Sequence, residues 1–296
     1  MANTCLVTRL QGVVTGDNLI KFGTLRLDIT KDFLTSSATT ASFRIRFTDV
    51  PSGETPTIKI DVPFNLNDTD YAAGATASLT PNTSSGVYNV ITIQRNDIPV
   101  NGACAYITHK YNLTHLMTVN TTTIGKLSAS EISYLPKINS LNGIAVDGNI
   151  GDIDNISLSA VTFVSPMSQG SAADYKYPEK ITRIMSCFVN FPIEVPDLLD
   201  YVNLTNLILT VNPGWVADTT DLIQLFSTLT KLNTGDWRNS GVTCNADTLA
   251  AGLQAAGVVS RTINITLYGR QWDGGTGTSS VQKTFTFDEN GDYVIS

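Results

Sequence analysis

A leucine spacing near the middle of the chain places the strongest constraint on the fold. The stretch LTNLILTVN, residues 204–212, has the pattern L-x-x-L-x-L-x-x-N, with leucines at 204, 207 and 209. A single match of this kind is compatible with an isolated strand. A match that recurs roughly every 20–29 residues instead predicts a solenoid, in which the strand of each turn stacks its apolar side chains on those of the next.

The same spacing recurs on both sides of this stretch. LNGIAVDGN, residues 141–149, is a second complete match, and partial matches begin at Leu158, Ile181 and Leu229. Successive matches therefore start 17, 23, 23 and 25 residues apart. This near-constant spacing predicts a short, irregular α/β solenoid of the leucine-rich-repeat type.

Each strand of such a solenoid has an inward and an outward face. In LTNLILTVN we expect Leu204, Leu207 and Leu209 to be buried and the residues between them to point outward. The outward positions of successive turns form an extended surface on which repeat proteins contact their partners. The predicted partner-facing residues are Ala145, Asp147, Thr162, Asn206, Ile208 and Thr210.

The N-terminal part of the chain alternates polar and apolar residues with a period of two. Arg44 and Arg46, for example, separate Phe43, Ile45 and Phe47. Such alternation gives a strand one buried and one wet face, and several short strands without a long helix between them favour an antiparallel β-sandwich. The other runs are LVTRLQGVV, TLRLDI, TIKIDVPF, GVYNVITIQR and ACAYITHKYNL, the last of which is the expected closing strand.

Two helices and a hairpin are expected towards the C-terminus. DTTDLIQLFSTLTKL has apolar residues at helical spacing behind Asp218 or Thr219 as the N-cap, and NADTLAAGLQAAG is an alanine-rich helix between Asn245 and Gly257. VQKTFTFDENGDYVIS predicts a hairpin that turns at Asn290-Gly291.

The predicted fold is thus mainly β with some helix. We expect three regions: a β-sandwich docking domain in residues 1–115, a degenerate leucine-rich-repeat domain in residues 116–270, and a β-hairpin tail in residues 271–296.

The charge balance and hydropathy exclude several classes of function. The formal net charge is −7, and the chain contains no basic run of the kind that a nucleic-acid-binding face requires. No stretch approaches the ~18 consecutive apolar residues of a membrane span, and the N-terminus lacks the basic-then-apolar order of a signal peptide. We therefore expect no nucleic-acid partner, no membrane insertion and a chain that begins in a cytoplasm.

Residues that carry chemistry are few and scattered. His109 and His115 would share one face of a strand spanning residues 106–116, but a third metal ligand at suitable spacing is missing, so ordinary polar roles are favoured. DGNIGDIDN lacks the residue order of a calcium loop, and turn-forming Asp and Asn explain it better. Trp215, Trp237 and Trp272 would suit sugar stacking, although core positions are favoured.

We accordingly predict no enzyme, no catalytic residue, no cofactor and no metal site. The four cysteines, at positions 5, 104, 187 and 244, form no C-x-x-C pair, which favours four reduced thiols.

A family resemblance accompanies these observations. The opening MANTCLVTRLQGVVTGDNLIKFGTLRLDI, the later HKYNLTHL, and the turns LTNLILTVN and LNGIAVDGN together resemble virion proteins of Bacteroidetes phages and prophages, including crAss-like phages. Those proteins combine an N-terminal β-domain with BspA-like leucine-rich turns. The resemblance implies a virion structural protein of the capsid-decoration or head-fibre type, made in the bacterial host cytoplasm.

The partners implied by the resemblance are other capsid or tail proteins and further copies of the same chain. Two alternatives stay open. The first is a tail-fibre-type protein for host attachment, which binds a surface glycan or protein receptor. The second is a polysaccharide depolymerase, because phage fibres sometimes carry such activity and glycosidase chemistry needs only two carboxylates.

Overall fold

The computed structural model describes residues 24–31, 34, 37–82, 87–108, 113–119, 123–163, 168–186, 193–210 and 215–296. The chain is mainly β, as predicted, and its strands form a large mixed sheet. In chain order the strands are β1 Thr24–Ile29, β2 Thr40–Phe47, β3 Thr57–Ile60, β4 Phe64–Leu66, β5 Thr69–Tyr71, β6 Thr76–Ser78, β7 Asn89–Gln94, β8 Ala103–Thr108, β9 Leu113–Thr118, β10 Gly125–Ser128, β11 Ser140–Asn149, β12 Ala160–Phe163, β13 Ser168–Gln169, β14 Arg183–Ser186, β15 Asn206–Ile208, β16 Thr234–Asp236, β17 Arg261–Tyr268, β18 Ser280–Phe287 and β19 Tyr293–Ile295. The helices are α1 Ala129–Ser133, α2 Val195–Leu198, α3 Thr219–Thr228 and α4 Ala246–Ala255.

The N-terminal strands pair antiparallel in two groups. In one group β8 lies between β1 and β3, and in the other β2 lies between β7 and β9. The period-two alternation has the predicted consequence in β2, where Phe43, Ile45 and Phe47 are fully buried and the two arginines between them are not. The predicted strand LVTRLQGVV lies outside the described residues.

Within ACAYITHKYNL the structure describes β8, Ala103–Thr108, and the first residue of β9, Leu113, whereas residues 109–112 lie outside the described residues. Strand β8 belongs to the group that contains β1, and β9 belongs to the group that contains β2. The expected domain boundary between residues 115 and 116 consequently falls inside β9. The boundary between residues 270 and 271 falls inside a short 3-10 turn, Gly269–Gln271.

Strand β11 joins the antiparallel strands to the rest of the sheet. Its first residue, Ser140, pairs with His115 of β9, whereas its later residues pair in parallel with β10, which itself pairs with β1. Ser140 pairs with Ala160 of β12 but Ala145 pairs with Thr162, so the register of β11 against β12 shifts between residues 140 and 145. Gly143 lies at the shift with φ of 78°, and a side chain there would collide with Thr118 of β9. The two parts of the chain therefore share one sheet and one hydrophobic core.

From β11 onward the sheet continues as a ladder of parallel strands. Strands β11, β12, β14, β15, β16 and β17 pair with one another in chain order. Leu204, Leu207 and Leu209 are completely buried, while Asn206, Ile208 and Thr210 are not, so the predicted inward and outward faces of this segment are confirmed.

A ladder of hydroxyl groups links successive strands of the parallel ladder. The Ser159 hydroxyl donates to the Asn139 carbonyl at 2.8 Å, the Thr182 hydroxyl to the Ser159 carbonyl at 3.1 Å, and the Thr205 hydroxyl to the Thr182 carbonyl at 2.9 Å. Each of these hydroxyl residues directly follows the first apolar residue of its turn. The same carbonyls also accept from the backbone N–H groups of Ser159, Thr182 and Thr205, so each hydroxyl adds a second link between neighbouring strands.

The turn assigned to Leu229 begins three residues later than its sequence pattern predicts. Asn206 pairs with Thr234, so Leu232 is the structural equivalent of Leu204, whereas Leu229 follows the end of α3. Gly235 then occupies the inward position that Leu207 has in the preceding turn. The indole ring of Trp237 fills the space that a larger side chain at position 235 would need.

We expect Gly235→Ala to lower the free energy of unfolding by about 2 kcal/mol through overpacking. A Cβ atom on Gly235 would lie 2.7 Å from Cζ2 and Cζ3 of Trp237, which is fully buried and packs on Trp215 and Phe226 with ring centroids 5.4 and 5.9 Å apart. Urea denaturation followed by tryptophan fluorescence measures the effect. The control is Gly277→Ala, because the nearest atom to a Cβ at Gly277 is 3.7 Å away. Equal denaturation midpoints for the two variants would contradict this packing.

The predicted helix ends and the terminal hairpin are confirmed. The Asp218 carboxylate accepts from the Thr220 backbone at 2.7 Å at the start of α3, and the Asn245 side chain accepts from the Thr248 backbone at 2.8 Å at the start of α4. Gly257 follows α4 with φ of 81°. Strands β18 and β19 pair antiparallel and close the ladder.

None of the helices in the described ranges is long and apolar enough to cross a membrane.

Candidate binding face

The structure divides the six predicted partner-facing residues into two groups. Asn206, Ile208 and Thr210 lie on the outward side of the ladder and are partly exposed. Ala145 and Thr162 are completely buried, so their predicted partner-facing role is wrong. The remaining residue, Asp147, is partly exposed, and its carboxylate lies 2.8 Å from Nζ of Lys126.

The shifted register of β11 explains why Thr162 is buried. The Thr162 hydroxyl accepts from the Gly143 backbone at 2.7 Å and donates to the Leu141 carbonyl at 3.3 Å. It therefore satisfies backbone groups that the irregular pairing of β11 with β12 leaves without a ladder partner. Its contribution is to the fold and not to an exposed surface.

A row of cross-strand neighbours runs through nine strands of the sheet. Each member is the direct cross-strand neighbour of the next, from β2 through β9 and along the whole parallel ladder to β18. We call it the polar row, and its members are Arg46, His115, Ser140, Ala160, Arg183, Asn206, Thr234, Asn264 and Thr284.

The polar row contains no carboxylate, and Ala160 is its one member without a polar side chain. Ser140 is buried, and the other eight residues are partly exposed. Within the row the Thr284 hydroxyl hydrogen-bonds to the Asn264 side chain at 3.0 Å. Because adjacent strands lie about 4.8 Å apart, the eight steps from Arg46 to Thr284 span about 38 Å. The row is thus an extended strip of hydrogen-bonding groups with two fixed positive charges.

A pair of arginine-centred clusters flanks the C-terminal end of the row. Arg238 makes a two-pronged contact with the Asp236 carboxylate, with both nitrogen–oxygen distances at 2.9 Å, and this hydrogen bonding raises the pKa of Arg238. Arg270 lies over the Tyr268 ring, 5.5 Å from its centroid, and also donates to the Asn239 side chain at 3.0 Å. These contacts hold a half-exposed tyrosine and two guanidinium groups in fixed positions beside the row.

At the other end of the row, His115 belongs to β9. Burial and then the nearby positive charge of Arg46 lower the pKa of His115, so the imidazole is neutral at pH 7. His109 lies outside the described residues, so the predicted shared face of the two histidines has no test here. In the described ranges, no group of three or more His, Cys, Asp or Glu is arranged to hold a metal ion.

The three tryptophans belong to the core, as favoured from the sequence. Trp215, Trp237 and Trp272 are all at least 96% buried.

In the loop DGNIGDIDN, the Asp154 carboxylate accepts from the Tyr177 hydroxyl at 2.5 Å.

The last residue of the loop DGNIGDIDN, Asn155, is a buried asparagine whose role the sequence pattern does not indicate. The Asn155 side chain donates to the carbonyls of Ile132 and Leu135 at 2.8 and 2.7 Å, and the Asn155 backbone carbonyl accepts from the Tyr175 hydroxyl at 3.2 Å. Asn149, which completes the repeat pattern in sequence, is instead exposed. Asn155 therefore supplies the hydrogen bonds between turns.

We expect four thiol equivalents when the protein is denatured without a reductant and titrated with a thiol reagent. Cys104 and Cys244 are free thiols, whereas Cys5 and Cys187 lie outside the described residues. Burial raises the pKa of Cys244 to about 12, and burial with a hydrogen bond to Asp28 raises that of Cys104. In the native protein at pH 8 both thiols should therefore react more slowly than free cysteine. Recovery of two equivalents after denaturation would reveal a disulfide.

Comparison of the chain with protein-family models and with curated protein sequences gives no match.

Proposed function

We propose that the chain is a structural protein of a bacteriophage particle that acts through non-covalent contacts and catalyses no reaction. In this proposal the N-terminal strands are a β-sandwich that docks on capsid or tail proteins, and the parallel ladder is a degenerate leucine-rich solenoid. Support comes from the buried leucines at positions 204, 207 and 209, from the hydroxyl ladder that repeats along the parallel strands, and from the sequence resemblance to phage virion proteins.

The polar row is the observation that carries the proposal. It crosses both parts of the chain within one hydrogen-bonded sheet, so a partner bound along it contacts a surface with little internal freedom. Its uncharged residues form hydrogen bonds whose strength depends on a close fit between the two surfaces. Such contacts would hold a particle component in one orientation.

The proposal is tested on purified phage particles from a host in which this gene is expressed during infection. Quantitative mass spectrometry against the major capsid protein should find the chain as a stoichiometric component. A copy number that matches the capsid lattice supports a decoration or head fibre, and a few copies per particle support a tail position. Absence from infectious particles overturns the proposal, as does cleavage of host capsular polysaccharide by the purified protein at enzyme-like rates.

The full chain is required for this test. Strand β9 straddles the expected domain boundary, and β10 pairs with β1, so a cut at residue 115 would divide a strand and remove partners from both halves.

A second candidate function is recognition of a host-surface glycan or receptor by a tail-fibre-type protein. The polar row favours it, because amide and hydroxyl side chains are suited to sugar hydroxyl groups. Purified protein should then bind host cells and compete with phage adsorption. Adsorption that is unaffected by saturating protein would contradict this second function and leave the particle assignment intact.

A further inference from the structure

The N-terminal end of the polar row carries a cluster of cationic and aromatic side chains. The guanidinium carbons of Arg46 and Arg44 lie 5.4 and 5.9 Å from the centroid of the Tyr88 ring. The ring of His115 meets that of Tyr88 edge-on, with centroids 6.1 Å apart. Tyr88 directly precedes β7 and His115 lies on β9, the two strands that flank β2, so the ring contact of Arg46 holds its guanidinium group beside Tyr88.

The positive charge of this cluster is not neutralised within the described part of the chain. The ion pairs found there join other residues, namely Arg26 to Asp28, Lys126 to Asp147, Lys137 to Asp49, Arg238 to Asp236 and Lys283 to Asp273. Arg44 and Arg46 are two residues apart on one strand, so their like charges lie side by side, which is unfavourable without a counter-charge.

Arg183, in the middle of the polar row, is a further arginine that takes part in none of these ion pairs. Like Arg46, it has a buried Nε that lacks a hydrogen-bond partner within the described residues. Four strand steps separate the two arginines, which corresponds to about 19 Å. The row thus bears two separated cations on a chain whose net charge is −7.

We infer that the polar row is a binding site for a linear acidic polysaccharide, with uronate carboxylates at Arg46 and Arg183 and sugar hydroxyl groups at Asn206, Thr234 and Asn264. Guanidinium groups pair with carboxylates through two parallel hydrogen bonds. Strands β15, β16 and β17 each offer one polar side chain, Asn206, Thr234 and Asn264. A compact anion would contact only one arginine, whereas an extended polymer that runs across the strands contacts both.

Other anionic polymers fit this row less well. Single-stranded nucleic acids bind through stacking of successive bases on aromatic side chains. The row itself has one aromatic residue, His115, and the nearby Tyr88 and Tyr268 lie at its opposite ends, so no run of aromatic side chains follows it. An acidic peptide would satisfy the arginines but would leave the Asn and Thr positions without the dense hydroxyl groups of a sugar. The inference rests on the glycan-binding form of the proposed function and specifies the class of glycan.

The test measures binding of the full-length protein to sodium polygalacturonate by isothermal titration calorimetry. Neutral dextran, poly-L-glutamate and oligo-dT are the comparison polymers. Binding to polygalacturonate that weakens with salt, together with at least about tenfold weaker binding to each other polymer, is expected. No binding to polygalacturonate, or equally tight binding to poly-L-glutamate or oligo-dT, overturns the inference.

Two variants locate the site. Arg46→Gln combined with Arg183→Gln should weaken binding to polygalacturonate by about tenfold or more. Lys176→Gln combined with Lys180→Gln removes the same charge from exposed positions off the row and should leave binding unchanged. Equal loss in both double variants would mean that net charge alone governs binding and would refute the site.

An added carboxylate gives a check that does not depend on removing an arginine. Thr234→Asp places a negative charge on the row between Asn206 and Asn264 and should also weaken binding, whereas Thr278→Asp adds the same charge on an exposed loop and should not. Thermal melts establish that each variant is folded. A particle component that fails to bind polygalacturonate refutes this inference alone, and a chain that binds it but is absent from particles refutes the particle assignment alone.

Discussion

Leu207→Asp is expected to lower the free energy of unfolding by more than about 4 kcal/mol, because it removes a buried aliphatic side chain and places a carboxylate in the same space. Leu207 is completely buried in the middle of the parallel ladder, between Ile184 of β14 and Gly235 of β16. No cation is available to pair with a carboxylate among these apolar neighbours. Urea denaturation followed by circular dichroism measures the effect, and a variant that does not fold at all agrees with it.

The matched control is Asn206→Asp, one residue earlier on the same strand. The new carboxylate then lies on the outward face beside Arg183, where water and a guanidinium group stabilise it, so the change should stay within about 0.5 kcal/mol. Similar melting of the two variants would contradict the assignment of inward and outward faces in β15.

Local periodicity accounts for the features that sequence analysis predicts correctly. The alternation of β2, the inward leucines at 204, 207 and 209, the capping residues Asp218 and Asn245, and the hairpin that ends in β19 are each encoded within a dozen neighbouring residues. Side-chain direction in a strand and hydrogen bonding at a helix end depend on immediate neighbours, so the sequence pattern is sufficient.

Register between distant strands is what the sequence pattern does not determine. In LTKLNTGDW either Leu229 or Leu232 can begin a turn, and the choice depends on Trp237, whose ring takes the space of the missing inward side chain at Gly235. A serine or threonine directly follows Leu158, Ile181 and Leu204, and this feature marks the correct starts of those three repeats. Leu232 is followed by Asn233, so the same feature does not mark its repeat.

The polar row likewise depends on register and is not visible in the sequence pattern. The leucine pattern predicts that Asn206 points outward. It does not predict that Arg183 and Thr234 lie beside Asn206, because their positions depend on how β14 and β16 pair with β15. The link between His115 and Ser140 joins two parts of the chain that the sequence assigns to separate domains. Thr162 was wrongly assigned because the shifted register of β11 is invisible in a pattern of apolar residues.

Arg261→Met is expected to lower the free energy of unfolding by about 3 kcal/mol, because one guanidinium group satisfies the carbonyls at the end of α3. Arg261 Nη1 donates to the Phe226 carbonyl at 2.5 Å, and Nη2 donates to the carbonyls of Leu229, at 2.8 Å, and Leu232. Its guanidinium carbon also lies 5.9 Å from the centroid of the Phe226 ring. Burial lowers the pKa of Arg261 to about 10, so the group stays charged at neutral pH.

Two further variants separate the effect of the three Arg261 hydrogen bonds from a general effect of positive charge. Arg261→Lys keeps the positive charge but presents it at a single nitrogen, which cannot reach three carbonyls in the same geometry, so it should lose a large part of the stabilisation. Arg270→Met removes an exposed arginine from the loop that follows the same strand and should change stability by no more than about 0.5 kcal/mol. If the lysine variant at position 261 melts with the parent protein, positive charge at the end of α3 is sufficient and the three directed hydrogen bonds contribute little.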